Sequence, residues 1–302
     1  MPKLKSKNHG KFHAYFVIAT IKLVGLLPLS FARKLGALLA SSSWVFTDRN
    51  LRTTLQNLAL CYPNMPEDER KQMAKKSVRH TGMLAAEIFV IMRKSQEWIN
   101  RKVVAVEGED LLKSELAKGK GLMIMAPHVG NWEFLGQMLL PYGELTVLYQ
   151  PPKYPYLEPI IKGSRERSGM LTVPTSPKGL VLLLKSLKGG GMTAILPDQN
   201  PAWGSGTFVP FFGRPAYTMT MAHGMIRRTE SSVLFLVAER VKGGFVVHVR
   251  KAPEGIYSEN LEESLKALNQ GVEECIAICP EQNQWEYKRF NKCPEGVDNP
   301  YR

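Results

Sequence analysis

Two residues in the stretch from Gly121 to Gly136, His128 and Glu133, have the types and spacing for acid–base chemistry. A neutral imidazole can take a proton near neutral pH. A carboxylate accepting its other N–H would fix the tautomer, stabilise the imidazolium and leave the second nitrogen free as a base. Five residues on one continuous helix would place the two side chains about 140° apart. His128 must therefore lie just outside the helix, folded back over its first turn, if Glu133 is to reach it. On spacing alone, a satisfied polar pair with no chemical role fits better.

The flanking residues supply that arrangement. Gly121-Leu-Met-Ile-Met-Ala reads as a buried strand, Asn131 as a helix N-cap, and Glu133 as a first-turn acid. In an open α/β sheet, sites gather beyond the ends of such strands. Asp198 also follows a predicted strand, so it and His128 can converge on one edge of the sheet. As a lone residue, Asp198 fits a turn or N-cap equally well.

The expected elements around this turn are as follows. Residues 47–63 carry Leu51, Leu55 and Leu58 at helical spacing, and Pro63 and Pro66 separate that helix from one over residues 67–92. After Val103 short apolar runs alternate with helical segments. Strands are expected at 121–126, 145–149, 171–173, 193–196, 232–238 and 245–250. Helices are expected at 132–140, 155–168, 177–188, 219–230 and 259–278. The pattern implies an α/β fold with a mainly parallel central sheet flanked by helices. Residues 200–217 read as a Gly/Pro/aromatic loop. Its Trp203, Phe208, Phe211 and Phe212 fit either the lining of an apolar tunnel or a plug onto the core.

The chain divides into an N-terminal basic tail with a membrane-associating helix, residues 1–46, and an α/β domain, residues 47–302. Lys22 and Pro28 interrupt the apolar run from Ala14 to Leu27, so it is a marginal span. A helix lying in the cytoplasmic leaflet suits it better. Forty Lys plus Arg against 27 Asp plus Glu leave a formal charge of +13, which favours anionic partners. Cys61, Cys275, Cys279 and Cys293 form no C-x-x-C pair and read as core residues in a reducing compartment. His223 and His248 sit on apolar elements and read as structural. No G-x-S-x-G, phosphate-loop or dinucleotide frame is present, so nothing points to a hydrolase nucleophile or a bound nucleotide.

His128-Val-Gly-Asn-Trp-Glu133 resembles the H-x-x-x-x-[DE] motif of the glycerolipid and lipid A acyltransferase superfamily, in the form seen in late acyltransferases of lipid A biosynthesis. Three further blocks resemble that family in order. They are Asn57 with Tyr62-Pro63, Leu196-Pro-Asp198-Gln199 with Phe208 to Pro215, and Cys279 to Phe290 with Trp285, Tyr287 and Arg289. The resemblance spans residues 45–296. It implies O-acyl transfer from an acyl carrier protein thioester to a hydroxyl of a lipid A precursor at the cytoplasmic face of the inner membrane. It further implies His128 as base, Glu133 as its orienter, no cofactor and no covalent acyl-enzyme. Arg165 and Arg167 match a basic block of the family, which implies that Arg165 meets the developing oxyanion or a phosphate. Asn131 and Asp198 complete the expected substrate-binding set. The acidic carrier protein, the anionic leaflet and the lipid A phosphates would all meet a basic surface.

Two other functions compete. An acyltransferase for phosphatidylinositol mannosides shares the motif histidine and acid, although the block from Trp285 to Phe290 leans away from it. A basic nucleic-acid-binding protein suits the charge, but its Lys and Arg are scattered without a known module.

Overall fold

The computed structural model describes residues 11–42 and 48–302. Two N-terminal helices, α1 (Lys11–Val24) and α2 (Leu29–Ser41), begin the described chain. Helices α3 (Asp48–Cys61), α4 (Glu67–Ile91) and α5 (Gln96–Lys102) follow. Strand β1 (Val103–Glu107) leads through α6 (Glu109–Ala117) to β2 (Leu122–Met125) and α7 (Trp132–Met138). Next come β3 (Leu145–Tyr149), α8 (Glu158–Arg167), β4 (Leu171–Pro174), α9 (Pro177–Lys188) and β5 (Met192–Ile195). The hairpin β6 (Gly206–Phe211) and β7 (Arg214–Met219) precedes α10 (Met221–Thr229), β8 (Ser232–Val241), β9 (Gly244–Lys251) and α11 (Leu261–Ile278). The basic tail before Lys11 and the boundary expected between residues 46 and 47 lie outside the described residues.

The main sheet has the order β1-β9-β8-β2-β5-β3-β4. Its neighbours run parallel except β8 and β9, which a tight turn at Lys242-Gly243 joins in antiparallel register. The sheet is covered on both faces, as its continuous apolar strands require. In β2, Met123 and Met125 face one apolar core while Leu122 and Ile124 face the other. Strand β8 alternates likewise, with Phe235 on the first face and Leu234 and Leu236 on the second.

Two local expectations change. Residues 200–217 hold an antiparallel hairpin, not only a loop. Phe212 and Gly213 both take positive φ (48° and 71°), the backbone of a tight hairpin turn. Pro210 lies opposite Pro215, two residues without an N–H to pair. Phe211 is buried in the core, and Phe212 packs edge-on against Tyr62. Strand β1 and helix α6 also lie where no element was expected.

No helix among the described residues is long and apolar enough to cross a membrane. Helix α2 lies close along α4, and the crossing is made at glycine. A Cβ on Gly36 would fall 2.2 Å from the Gly82 carbonyl oxygen, and a Cβ on Gly82 would fall 2.2 Å from that of Gly36.

Candidate active site

Strands β2 and β5 are adjacent and parallel, with Met125 opposite Ile195. His128 lies three residues beyond Met125 and Asp198 three beyond Ile195, so equal overhangs bring the two side chains together. The Asp198 carboxylate accepts from the His128 backbone N–H at 3.2 Å and lies 3.0 Å from ring Nδ1. An ionised carboxylate only accepts, so Nδ1 carries the proton and Nε2 presents the lone pair. The Gln199 amide nitrogen stands 3.3 Å from Nε2, and the Trp132 ring packs edge-on to the imidazole with centroids 4.6 Å apart. Burial works to raise the Asp198 carboxyl. The charge and hydrogen bonds of His128 outweigh it and hold Asp198 below the usual carboxylate range.

Glu133 is not the partner of this imidazole. It sits buried in the first turn of α7, and its carboxylate takes Arg165 Nε at 3.1 Å and Nη2 at 2.7 Å. This two-point ion pair replaces the expected contact with His128. Burial pulls the Arg165 guanidinium down, and the Glu133 hydrogen bond and charge reverse the effect, raising it above its ordinary value. Two of the five guanidinium N–H donors are spent on Glu133, which fixes the group's orientation.

Asn131 is fully buried. Its Oδ1 caps α7 by accepting from Phe134 N at 2.8 Å, and its Nδ2 donates to Glu87 at 2.9 Å. The N-cap expectation is met, but a substrate contact is closed to it because both polar atoms are used inside the protein. Arg167 is exposed and donates to the Met92 carbonyl at 3.0 Å, tying α8 to the end of α4.

The turn between β2 and α7 is held from behind. Gly130 takes φ 64°, and a Cβ there would lie 2.1 Å from the Ala238 carbonyl oxygen. Gly130 N donates to Gln282 O, and Gln284 N donates to His128 O. The C-terminal block thus forms the rear wall of the histidine turn. It is fixed in place by Asn57, whose Nδ2 donates to the carbonyls of Trp285 and Tyr287 at 2.6 and 2.8 Å. Arg289, buried beneath Asp198, donates to Asn200 Oδ1, Tyr217 O and Thr218 Oγ1. Burial brings its guanidinium down to about 10 although the nearby Asp198 opposes this.

Glu87 is a further residue that sequence reasoning missed. It is fully buried and takes hydrogen bonds from Arg33, Arg240 and Asn131. Burial works to raise its carboxyl, but the two guanidiniums and Asn131 hold it low. It is the lone charge in the apolar run from Leu84 to Met92, a signal of a buried acid, but its partners come from distant positions. Gln199 and Trp132 stand within the quoted motifs, and contact with the imidazole gives both a place at the site. His248 is bonded on both ring nitrogens, to Glu107 and Glu239, as a structural histidine should be. Burial pushes the Cys61, Cys275 and Cys279 thiols up, in keeping with core residues.

The family model for bacterial lipid A biosynthesis acyltransferases matches residues 2–292. The chain belongs to this family. Among relatives of this lipid A acyltransferase family member, the lipid A biosynthesis lauroyltransferase of Escherichia coli (strain K12) is 27% identical over 94% of this chain and 93% of its own length. The palmitoleoyltransferase of the same strain is 24% identical over 95% and 94%, and its myristoyltransferase 20% identical over 99% and 93%. The four blocks quoted above all fall within the matched residues of the family.

Proposed function

We propose that this protein moves a fatty acyl chain from an acyl carrier protein thioester to a hydroxyl of a lipid A precursor at the cytoplasmic face of the inner membrane. Family membership supports the reaction class. The observation that carries the mechanism is the His128–Asp198 pair, with Nδ1 bound at 3.0 Å and Nε2 left as the acceptor nitrogen.

In this reading Nε2 takes the proton of the lipid hydroxyl as its oxygen attacks the thioester carbonyl. The carbonyl π electrons move onto oxygen, giving a tetrahedral oxyanion. Its collapse forms the ester and breaks the C–S bond. The imidazolium then returns the proton to the departing thiolate, so no acyl-enzyme forms and the histidine ends as it began. Asp198 orients the ring and stabilises the imidazolium. Glu133 remains essential but acts through Arg165, whose guanidinium it holds ready for the oxyanion or a lipid phosphate. A preorganised donor of that kind lowers the barrier by about 3–4 kcal/mol. The two N-terminal helices expose Phe16, Leu23, Leu26, Phe31 and Leu38, which suits helices lying in a bilayer surface rather than crossing it.

The test is reconstitution in detergent with carrier-protein thioesters of graded chain length and under-acylated lipid A precursors, read by product mass spectrometry. A mass gain of one acyl group that His128→Ala abolishes is expected. No transfer from any donor by folded protein would remove the proposal. A product formed equally well from coenzyme A thioesters would remove the carrier protein from it.

A further inference from the structure

A second site lies away from His128. Helix α2, helix α4 and the β8–β9 turn enclose an open pocket of about 630 Å³. Its walls carry five cationic side chains, Arg33, Lys34, Arg79, Arg240 and Lys242, and no carboxylate. Glu87 lies behind it, bound to Arg33 at 2.5 Å and to Arg240 at 2.7 Å. One buried carboxylate thus serves two guanidiniums, Arg240 buried and Arg33 partly so, leaving one positive charge at the pocket wall. Such a charge favours an incoming anion.

Arg33 spends three of its five donors, on Glu87, Val241 O and Gly244 O, and keeps the others. Lys34, Arg79 and Lys242 are exposed around the rim. The anion's remaining chemistry is written beside it. Leu38, on the pocket wall, is 69% exposed, and Leu39 and Phe31 on the same helix are exposed as well. A cationic recess opening onto uncovered apolar helix suits a molecule with an anionic head and hydrocarbon tails.

We propose that this pocket binds the phosphodiester head of an anionic phospholipid, with its acyl chains along α2. The proposal rests on the interfacial reading of the two N-terminal helices. An acidic protein such as the acyl carrier protein would use the cations but leave Leu38, Leu39 and Phe31 uncovered.

The test uses the full chain and vesicles of phosphatidylcholine with or without phosphatidylglycerol. The pocket variant is Lys34→Gln/Arg79→Gln/Lys242→Gln, three exposed positions, with folding checked by circular dichroism. The control variant, Lys178→Gln/Lys185→Gln/Lys188→Gln on α9, removes the same charge elsewhere. The pocket variant should lose about 100-fold in affinity for anionic vesicles, from roughly fivefold for each of its three cations near a charged surface. The control should lose less than about a third of that on a logarithmic scale. Soluble short-chain phosphatidylglycerol should compete for the site, and inorganic phosphate should not.

Equal losses in the two variants would overturn the pocket while leaving surface binding intact. Competition by inorganic phosphate at the same concentration would replace the lipid with a free anion. Loss of carrier-protein binding with vesicle binding unchanged would replace it with a protein. Wild-type protein that binds neither vesicle would instead remove the interfacial reading itself.

Discussion

Asp198 grips His128 at two points, the backbone N–H at 3.2 Å and ring Nδ1 at 3.0 Å. The bond to the chain fixes where the histidine sits, and the bond to the ring fixes which nitrogen carries the proton. Asp198→Asn keeps the size but loses the charge, and its amide can turn a donor toward Nδ1. That would move the proton to Nε2, the wrong nitrogen. We expect kcat to fall about 10²–10⁴-fold with little change in KM, measured by steady-state transfer. A loss of only a fewfold would put the tautomer under other control.

Glu133 and Arg165 form one unit, and their variants should behave as one. Glu133→Gln and Arg165→Gln should each lower kcat about 10²–10³-fold. The double variant should be no worse than the Arg165 single variant. Full additivity in a double-mutant cycle would mean that Glu133 acts on something other than the guanidinium.

Glu87 links α2 to the catalytic turn through Arg33 and Asn131. Glu87→Ala leaves the buried guanidinium of Arg240 and the partly buried one of Arg33 uncompensated. A stability loss of about 3–5 kcal/mol is expected, read by urea unfolding in detergent. Replacing the carboxylate without a measurable loss would show that water reaches the network.

His80 supplies a pH signature. Its Nδ1 lies 3.0 Å from Arg240 Nη1, so the ring must accept there. Burial, then the charge of Arg240, bring its pKa down to about 4. The folded value lies below the unfolded one, so the unfolded chain binds the proton first. Stability is then unaffected by this group above about pH 6.5 and erodes as pH falls toward about 4, by roughly 1–3 kcal/mol in all. Urea unfolding across that window should show the slope, and His80→Gln should flatten it.

Much of this was legible in the chain. The apolar runs of β2 and β8 announce strands buried on both faces, and the leucine spacing of α11 announces its helix. The His128 turn was legible because a strand, a cap and a first-turn acid stand in order. The partner of His128 was misread for a physical reason. Glu133 is near in sequence, but the first turn of α7 aims it at α8, whereas Asp198 comes from 70 residues away by strand register. That register is invisible until β2 and β5 are known to be neighbours. The β6–β7 hairpin was hidden because a phenylalanine, not an Asn or Gly, takes the first positive φ of its turn. Glu87 was hidden because its two arginines arrive from positions 33 and 240.

The contact of Gly36 with Gly82 has a consequence for anyone who edits this chain. The N-terminal helices cannot be cut away as a detachable anchor to obtain a soluble enzyme. Their removal would bare the Gly82 backbone, strip Arg33 from Glu87, and leave the carbonyls of Val241 and Gly244 without their guanidinium. A chimera that borrows these helices from a relative would have to bring that relative's α4 along, because the fit is cut into both surfaces. The natural unit of exchange in this protein is therefore the three-helix block of α1, α2 and α4.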